Sequence, residues 1–238
     1  MSHDGKKLLI AIPIFDGITA LDAIGPFDCV QHLPNVQVVF VSHKPGAYRT
    51  SYGYLSLNAT ASFDDVPSPD IIIVPGGSGT RLLLDDEAFL NWLRKVHETT
   101  LYTTSVCTGS LMLAAAGLLK DVPATGHWNT YELLQKYGVK TTEKRVVQEG
   151  KIITAAGVSS GIDMGLLLVS LIADEETAKA IQLYIEYDPQ PPFDSGAISK
   201  ATPETIQLAK SFGVRGRESV VAMCGEVCSS LKKTDFHT

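Results

Sequence analysis

Apolar runs of strand length alternate along this chain with stretches whose apolar positions recur at helical spacing. Residues 7–14 form an almost unbroken apolar run closed by Pro13 and the Asp16-Gly17 turn, which predicts a strand buried on both faces. Residues 20–33 follow at helical spacing, and 36–41 predict a second, β-branched strand. Period-two stretches on either side of Gly53, over 48–59, predict a hairpin. Residues 70–74 predict a third buried strand that runs into Pro75-Gly76-Gly77-Ser78-Gly79. An amphipathic helix follows over 86–98, with Phe89, Leu90, Leu93 and Val96 facing inward. A strand is predicted at 102–106, a helix at 110–119 ended by Gly117, and a short helix at 130–137 before Gly138. The segments 146–148 and 152–155 flank Glu149-Gly150, a hairpin signal. Residues 161–173 are apolar on every side and predict a buried helix. Another helix at 175–187 stops at Pro189, Pro191 and Pro192. A last helical region spans 203–232, its middle weakened by Gly213 and Gly216.

Strands alternating with helices, several of them continuously apolar, specify an α/β three-layer sandwich whose central sheet is mostly parallel. At 238 residues the chain fits one domain, with 203–232 as a C-terminal helical extension. The proline-rich stretch 187–202 reads as a clamp or tail segment and not as a domain boundary.

Ligands of an open parallel sheet bind at the carboxyl ends of its strands, and three features fall there. The most informative is Cys107. A short strand ends on it and a small-residue helix, Gly109-Ser110-Leu111-Met112, begins almost at once. Such a strand-to-helix turn lifts a side chain out of the sheet, the presentation of a nucleophile. Helix amides and the positive helix end favour a thiolate there. The second feature is Asp22, a lone acid in the apolar segment 18–27. It serves either as an N-terminal helix carboxylate or as an acid facing the thiol, with a pKa raised by desolvation. The third is the glycine loop 76–79, which lacks both the P-loop ending and the dinucleotide spacing; uncovered amides there suit an oxyanion pocket or a tight turn.

His127, before Trp128, is the one histidine in a plausible mid-chain loop, and it is read either as a partner of the cysteine or as a structural residue. His3, His32, His43, His97 and His237 receive no role. Ser159 or Ser160 is expected to cap the buried helix, with Asp163 in its first turn.

Composition narrows the partners. Hydrophobic residues are 45% and charged residues 19%, ample for a buried core. A net charge of −6 argues against nucleic acid or an anionic membrane. No apolar run approaches the roughly 20 residues a bilayer span needs. Without a signal-peptide pattern, the expected compartment is the cytoplasm. Four cysteines do not form a disulfide scaffold, and Cys224 and Cys228, four apart, lack the second pair a zinc site needs. No metal-ligand spacing and no nicotinamide or flavin signature is present.

Pro75-Gly76-Gly77, the elbow Ser105-Val106-Cys107-Thr108-Gly109-Ser110 and residues 157–163 resemble the ThiJ/PfpI superfamily, with its class I glutamine amidotransferase-like fold. Leu21-Asp22 with Gly25-Pro26, Thr125-Gly126-His127-Trp128, Glu143-Lys144-Arg145-Val146-Val147 and Glu186-Tyr187-Asp188-Pro189-Gln190-Pro191-Pro192-Phe193 resemble its isonitrile hydratase family. The resemblance covers roughly residues 7–210. It implies Cys107 as nucleophile, Asp22 as its acidic partner, and Gly77 and Thr108 as positions whose amides face the thiolate. It further implies Val158 near the cysteine through its carbonyl, Gly76 and His127 as pocket residues, no cofactor, a small electrophilic substrate and a homodimer. Gly126 departs from the threonine usual before His-Trp, which is expected to widen that side of the pocket. The implied reaction is hydration of an isocyanide to an N-substituted formamide through a thioimidate. Rival readings are a glyoxalase-type cysteine enzyme acting on 2-oxoaldehydes, a cysteine redox or ligand sensor, and the ligand-sensing half of a transcription regulator. Ser105, where an amidotransferase would have glycine two residues before its cysteine, weakens amidotransferase or protease activity.

Overall fold

The computed structural model describes residues 7–224. Its frame is a seven-stranded sheet. The strands are β1 (Leu8–Pro13), β2 (Val36–Ser42), β5 (Ala61–Ser62), β6 (Ile71–Val74), β7 (Tyr102–Val106), β10 (Val146–Glu149) and β11 (Ile152–Ala155), in the order β10-β11-β7-β6-β1-β2-β5. Every pair is parallel except β10 with β11, the hairpin turning at Glu149-Gly150. The continuously apolar runs land in the middle of the order. Ile10, Ile12 and Ile71–Val74 are fully buried because helices cover both faces of a parallel sheet.

Helix α5 (Ser160–Ile172) packs against both α1 (Ala20–Val30) and α6 (Glu175–Tyr184). Helices α2 (Glu87–Thr99), α3 (Gly109–Ala115) and α4 (Tyr131–Lys136) form a second group. In α2, Phe89, Leu90, Leu93 and Val96 are buried, and Asp86 caps the helix by accepting from the Phe89 amide at 3.1 Å. Residues 46–59 form the expected hairpin, β3 (Gly46–Arg49) with β4 (Ser56–Ala59), as a sheet of its own. Two short strands, β8 (Pro123–Ala124) and β9 (Lys140–Thr141), pair without a signal in the sequence.

At α5 both expected positions hold: Ser159 occupies the N-cap and Asp163 lies in the first turn. The cap is positional, since Ser159 makes no side-chain cap bond and the Ser160 hydroxyl donates to Gly157 O. Asp163 accepts from Tyr187 Oη and Arg145 Nε, both at 2.6 Å, so it ties the start of the proline-rich segment to the sheet edge. Apart from a short 3₁₀ turn at Ile198–Lys200, that segment has no regular structure. It leads into α7 (Pro203–Cys224), which runs unbroken through Gly213 and Gly216. The last part of the predicted helix, to 232, and the pairing of Cys224 with Cys228 lie outside the described residues. Among the described residues no helix is long and apolar enough to cross a membrane.

Candidate functional site at the elbow cysteine

The central strands β1, β6 and β7 end side by side, and the loops that follow them form one surface. Cys107 sits directly after β7 with φ +60°, a left-handed conformation that a non-glycine residue adopts only when its surroundings enforce it. The restraints are visible. Its N–H donates to Ala156 O at 2.9 Å, and its carbonyl accepts from the Ser110 hydroxyl at 3.0 Å and the His127 amide at 3.2 Å. The residue is 4% exposed, yet it lines a cleft of about 290 Å³.

The glycine loop is held close beneath it. A Cβ on Gly76 would collide with Thr108, and Gly77 takes φ +144°, so this approach requires glycine at both positions. Ile18 bridges to Gly77 and the Thr19 amide donates to Gly76 O at 2.9 Å, which draws the start of α1 to the same point. Asp22, in the first turn of α1, is thereby enclosed completely.

Asp22 does not cap its own helix. Its Oδ2 accepts from the Gly76 amide at 3.0 Å, while Oδ1 meets no partner of hydrogen-bonding geometry. Burial pushes the carboxyl from its ordinary 3.8 up to about 7; the Gly76 amide and the Cys107 side chain pull the other way. The thiol is pushed above its usual range, chiefly by burial and then by the charge of Asp22. Amides of Thr108 and Val158 work against this. The helix amides expected to favour a thiolate thus work against burial and the charge of Asp22. Desolvation outweighs those two donors while the carboxylate is charged. Thiol and carboxyl are coupled, so a charged sulfur goes with a protonated Asp22.

Two further assignments, at Gly77 and Gly126, change. Gly77 does not offer its amide to the sulfur: that N–H donates to Thr108 Oγ1 at 2.8 Å. Val158 bears on the sulfur through its amide. Gly126 leaves no gap in the cleft, because it packs behind the elbow, where a Cβ would strike the Ser110 hydroxyl.

His127 lines the cleft, but its ring bonds to Asn129 Oδ1 through Nδ1 at 2.7 Å, and no interaction joins it to the sulfur. Burial holds its imidazole below the ordinary value, hence neutral. The remaining wall was not foreseen. Ala209, Phe212, Gly213 and Arg217 of α7 close the cleft, with Arg81 from the 3₁₀ turn Ser78–Leu82. The available signal was Gly213 and Gly216, three apart on one helix face. A Cβ on Gly216 would strike Ser78 Oγ, so this glycine lets α7 lie close to the loop, whereas a Cβ on Gly213 would make only ordinary contacts. Among the described residues no three His, Cys, Asp or Glu side chains gather to hold a metal.

The sequence model of the DJ-1/PfpI family matches residues 8–171. An isonitrile hydratase of Pseudomonas putida is 40% identical over 203 residues, 85% of this chain and 89% of that protein. The HTH-type transcriptional regulator CdhR of Pseudomonas aeruginosa is 30% identical over 176 residues, 73% of this chain but 49% of the regulator. A crystal structure of a ThiJ/PfpI family protein from Pseudomonas syringae superposes with TM-score 0.82 at 33% identity, covering 90% of each chain. The chain therefore belongs to the DJ-1/PfpI family, carrying its fold on a mostly parallel sheet flanked by helices.

Proposed function

We propose that this protein is an isonitrile hydratase with Cys107 as nucleophile and Asp22 as its proton carrier. One observation carries the reading: a fully buried carboxyl, shifted to about 7, is coupled to a thiol at the wall of a small cleft. The similarity to the Pseudomonas putida isonitrile hydratase, nearly end to end, supports the substrate class.

The chemistry follows from the shared proton. Ionised Asp22 takes the Cys107 proton, and the sulfur adds to the terminal isocyanide carbon. The same proton then passes from Asp22 to that carbon, giving a thioimidate, R–N=CH–S–Cys. Water adds to the thioimidate carbon as Asp22, ionised again, accepts its proton. Asp22 passes this proton to the nitrogen, and as the C–S bond breaks the proton of the added hydroxyl goes to the sulfur, releasing R–NH–CHO and restoring the thiol. A base poised near neutrality suits both transfers better than an ordinary aspartate. The Thr108 and Val158 amides stabilise charge on the sulfur.

The test is to supply phenyl isocyanide to the purified protein and quantify formanilide by chromatography. We expect turnover by the wild type and none by Cys107→Ala. Full activity in that variant, or turnover of methylglyoxal with isocyanides untouched, overturns the reading.

A further inference from the structure

Two guanidiniums share the wall of this cleft. Arg81 and Arg217 both line the cavity that Cys107 lines, and among the described residues no aspartate or glutamate lines it. Among the described residues neither guanidinium makes a hydrogen bond or an ion pair. Arg81 reaches solvent at the mouth, whereas Arg217 is half-buried. The surrounding protein and the charge of Arg217 both push the Arg81 guanidinium below its usual range, so the two repel. Other cations of this region are occupied: Arg49 donates to Met223 O, and Arg215 lies 5.0 Å over the Phe212 ring.

Like charges brought together in a partly desolvated wall destabilise the empty site, and an anion between them relieves this. The contrast with the rest of the molecule is informative, since the chain carries a net charge of −6. A positive cleft in an acidic protein concentrates anions where they are otherwise repelled. Guanidinium forks also match carboxylate geometry with two parallel hydrogen bonds. A volume of about 290 Å³ restricts the ligand to a small molecule.

We infer that the substrate is an isocyanide bearing a carboxylate, held by Arg81 and Arg217 while its isocyanide carbon meets Cys107. This rests on the hydratase reading and goes beyond it, because hydration itself needs no charge on the substrate.

The experiment compares kcat/KM for 4-isocyanobenzoate and phenyl isocyanide, in parallel with calorimetric binding of the two products, 4-formamidobenzoate and formanilide, to Cys107→Ala. We expect a preference for the carboxylate of about tenfold or more, falling by about tenfold in Arg81→Gln and in Arg217→Gln. Lysine variants should keep part of it, and added sodium chloride should erode it in the wild type. The salt series and the product titrations need no arginine variant to fold. Hydration of both isocyanides with equal kcat/KM, unaffected by salt, overturns the inference and leaves the hydratase reading standing. Absence of turnover together with salt-sensitive, arginine-dependent binding of 4-formamidobenzoate overturns the hydratase reading and retains the anion site.

Discussion

Asp22→Asn isolates the physical claim on which the site depends. Asparagine keeps the shape and an acceptor for the Gly76 amide, and it cannot ionise. In the unfolded chain Asp22 loses its proton near 3.8; in the folded protein it holds the proton to about 7. At ~1.36 kcal/mol per pH unit, burying the ionised form costs about 4 kcal/mol in full. The sign is the reverse of a salt-bridged aspartate. The folded state binds more protons than the unfolded state between these two values, so stability falls as pH rises through that window and is level above it. About 2 to 3 kcal/mol of the effect should develop between pH 5 and pH 8. Urea unfolding of both proteins across this range, with extrapolation to water, measures it. The asparagine variant should gain on the wild type by that amount as pH rises, while its isocyanide turnover collapses. A stability gap independent of pH would mean that Asp22 titrates as an ordinary surface acid, which would refute the proposed proton carrier.

Other consequences can be checked alongside. The wild-type kcat/KM for an isocyanide should rise with pH through about 7 and then level, because Asp22 must be ionised to receive the thiol proton; the profile in Asp22→Asn should lose this step. Gly126→Ala should destabilise by about 1–3 kcal/mol through its collision with Ser110 Oγ, and Ser110→Ala should recover part of that in a double-mutant cycle by thermal unfolding. Gly216→Leu should pry α7 from the Ser78 loop, raising KM several-fold with a smaller change in kcat, as read by steady-state kinetics.

Pattern alone placed the central layer because parallel strands buried on both faces must be apolar throughout, as in 71–74 and the first strand. The elbow was readable for a local reason: a strand ending on Cys107 and a helix opening at Gly109 leave only a sharp turn between them. Asp22 stood out as a lone acid in an apolar segment, but its partner, the Gly76 amide, is 54 residues away and no periodicity reports such a contact. Gly126 was misjudged because its neighbour, Ser110, also comes from another element.

The chain by itself determined the alternation of strands and helices, the turn at Cys107, the glycine loop and the acid in the first turn of α1, since each follows from short-range periodicity and backbone preference. Only the folded molecule decided the protonation of the site and the shape of its cleft. Burial raises both the thiol and the carboxyl above their ordinary values, and enclosure is a property of the surrounding layers. One wall comes from α7, more than a hundred residues beyond Cys107, and it brings Arg217 into the same cleft as Arg81. Such long-range contacts are set by packing and charge in three dimensions, which linear spacing does not encode.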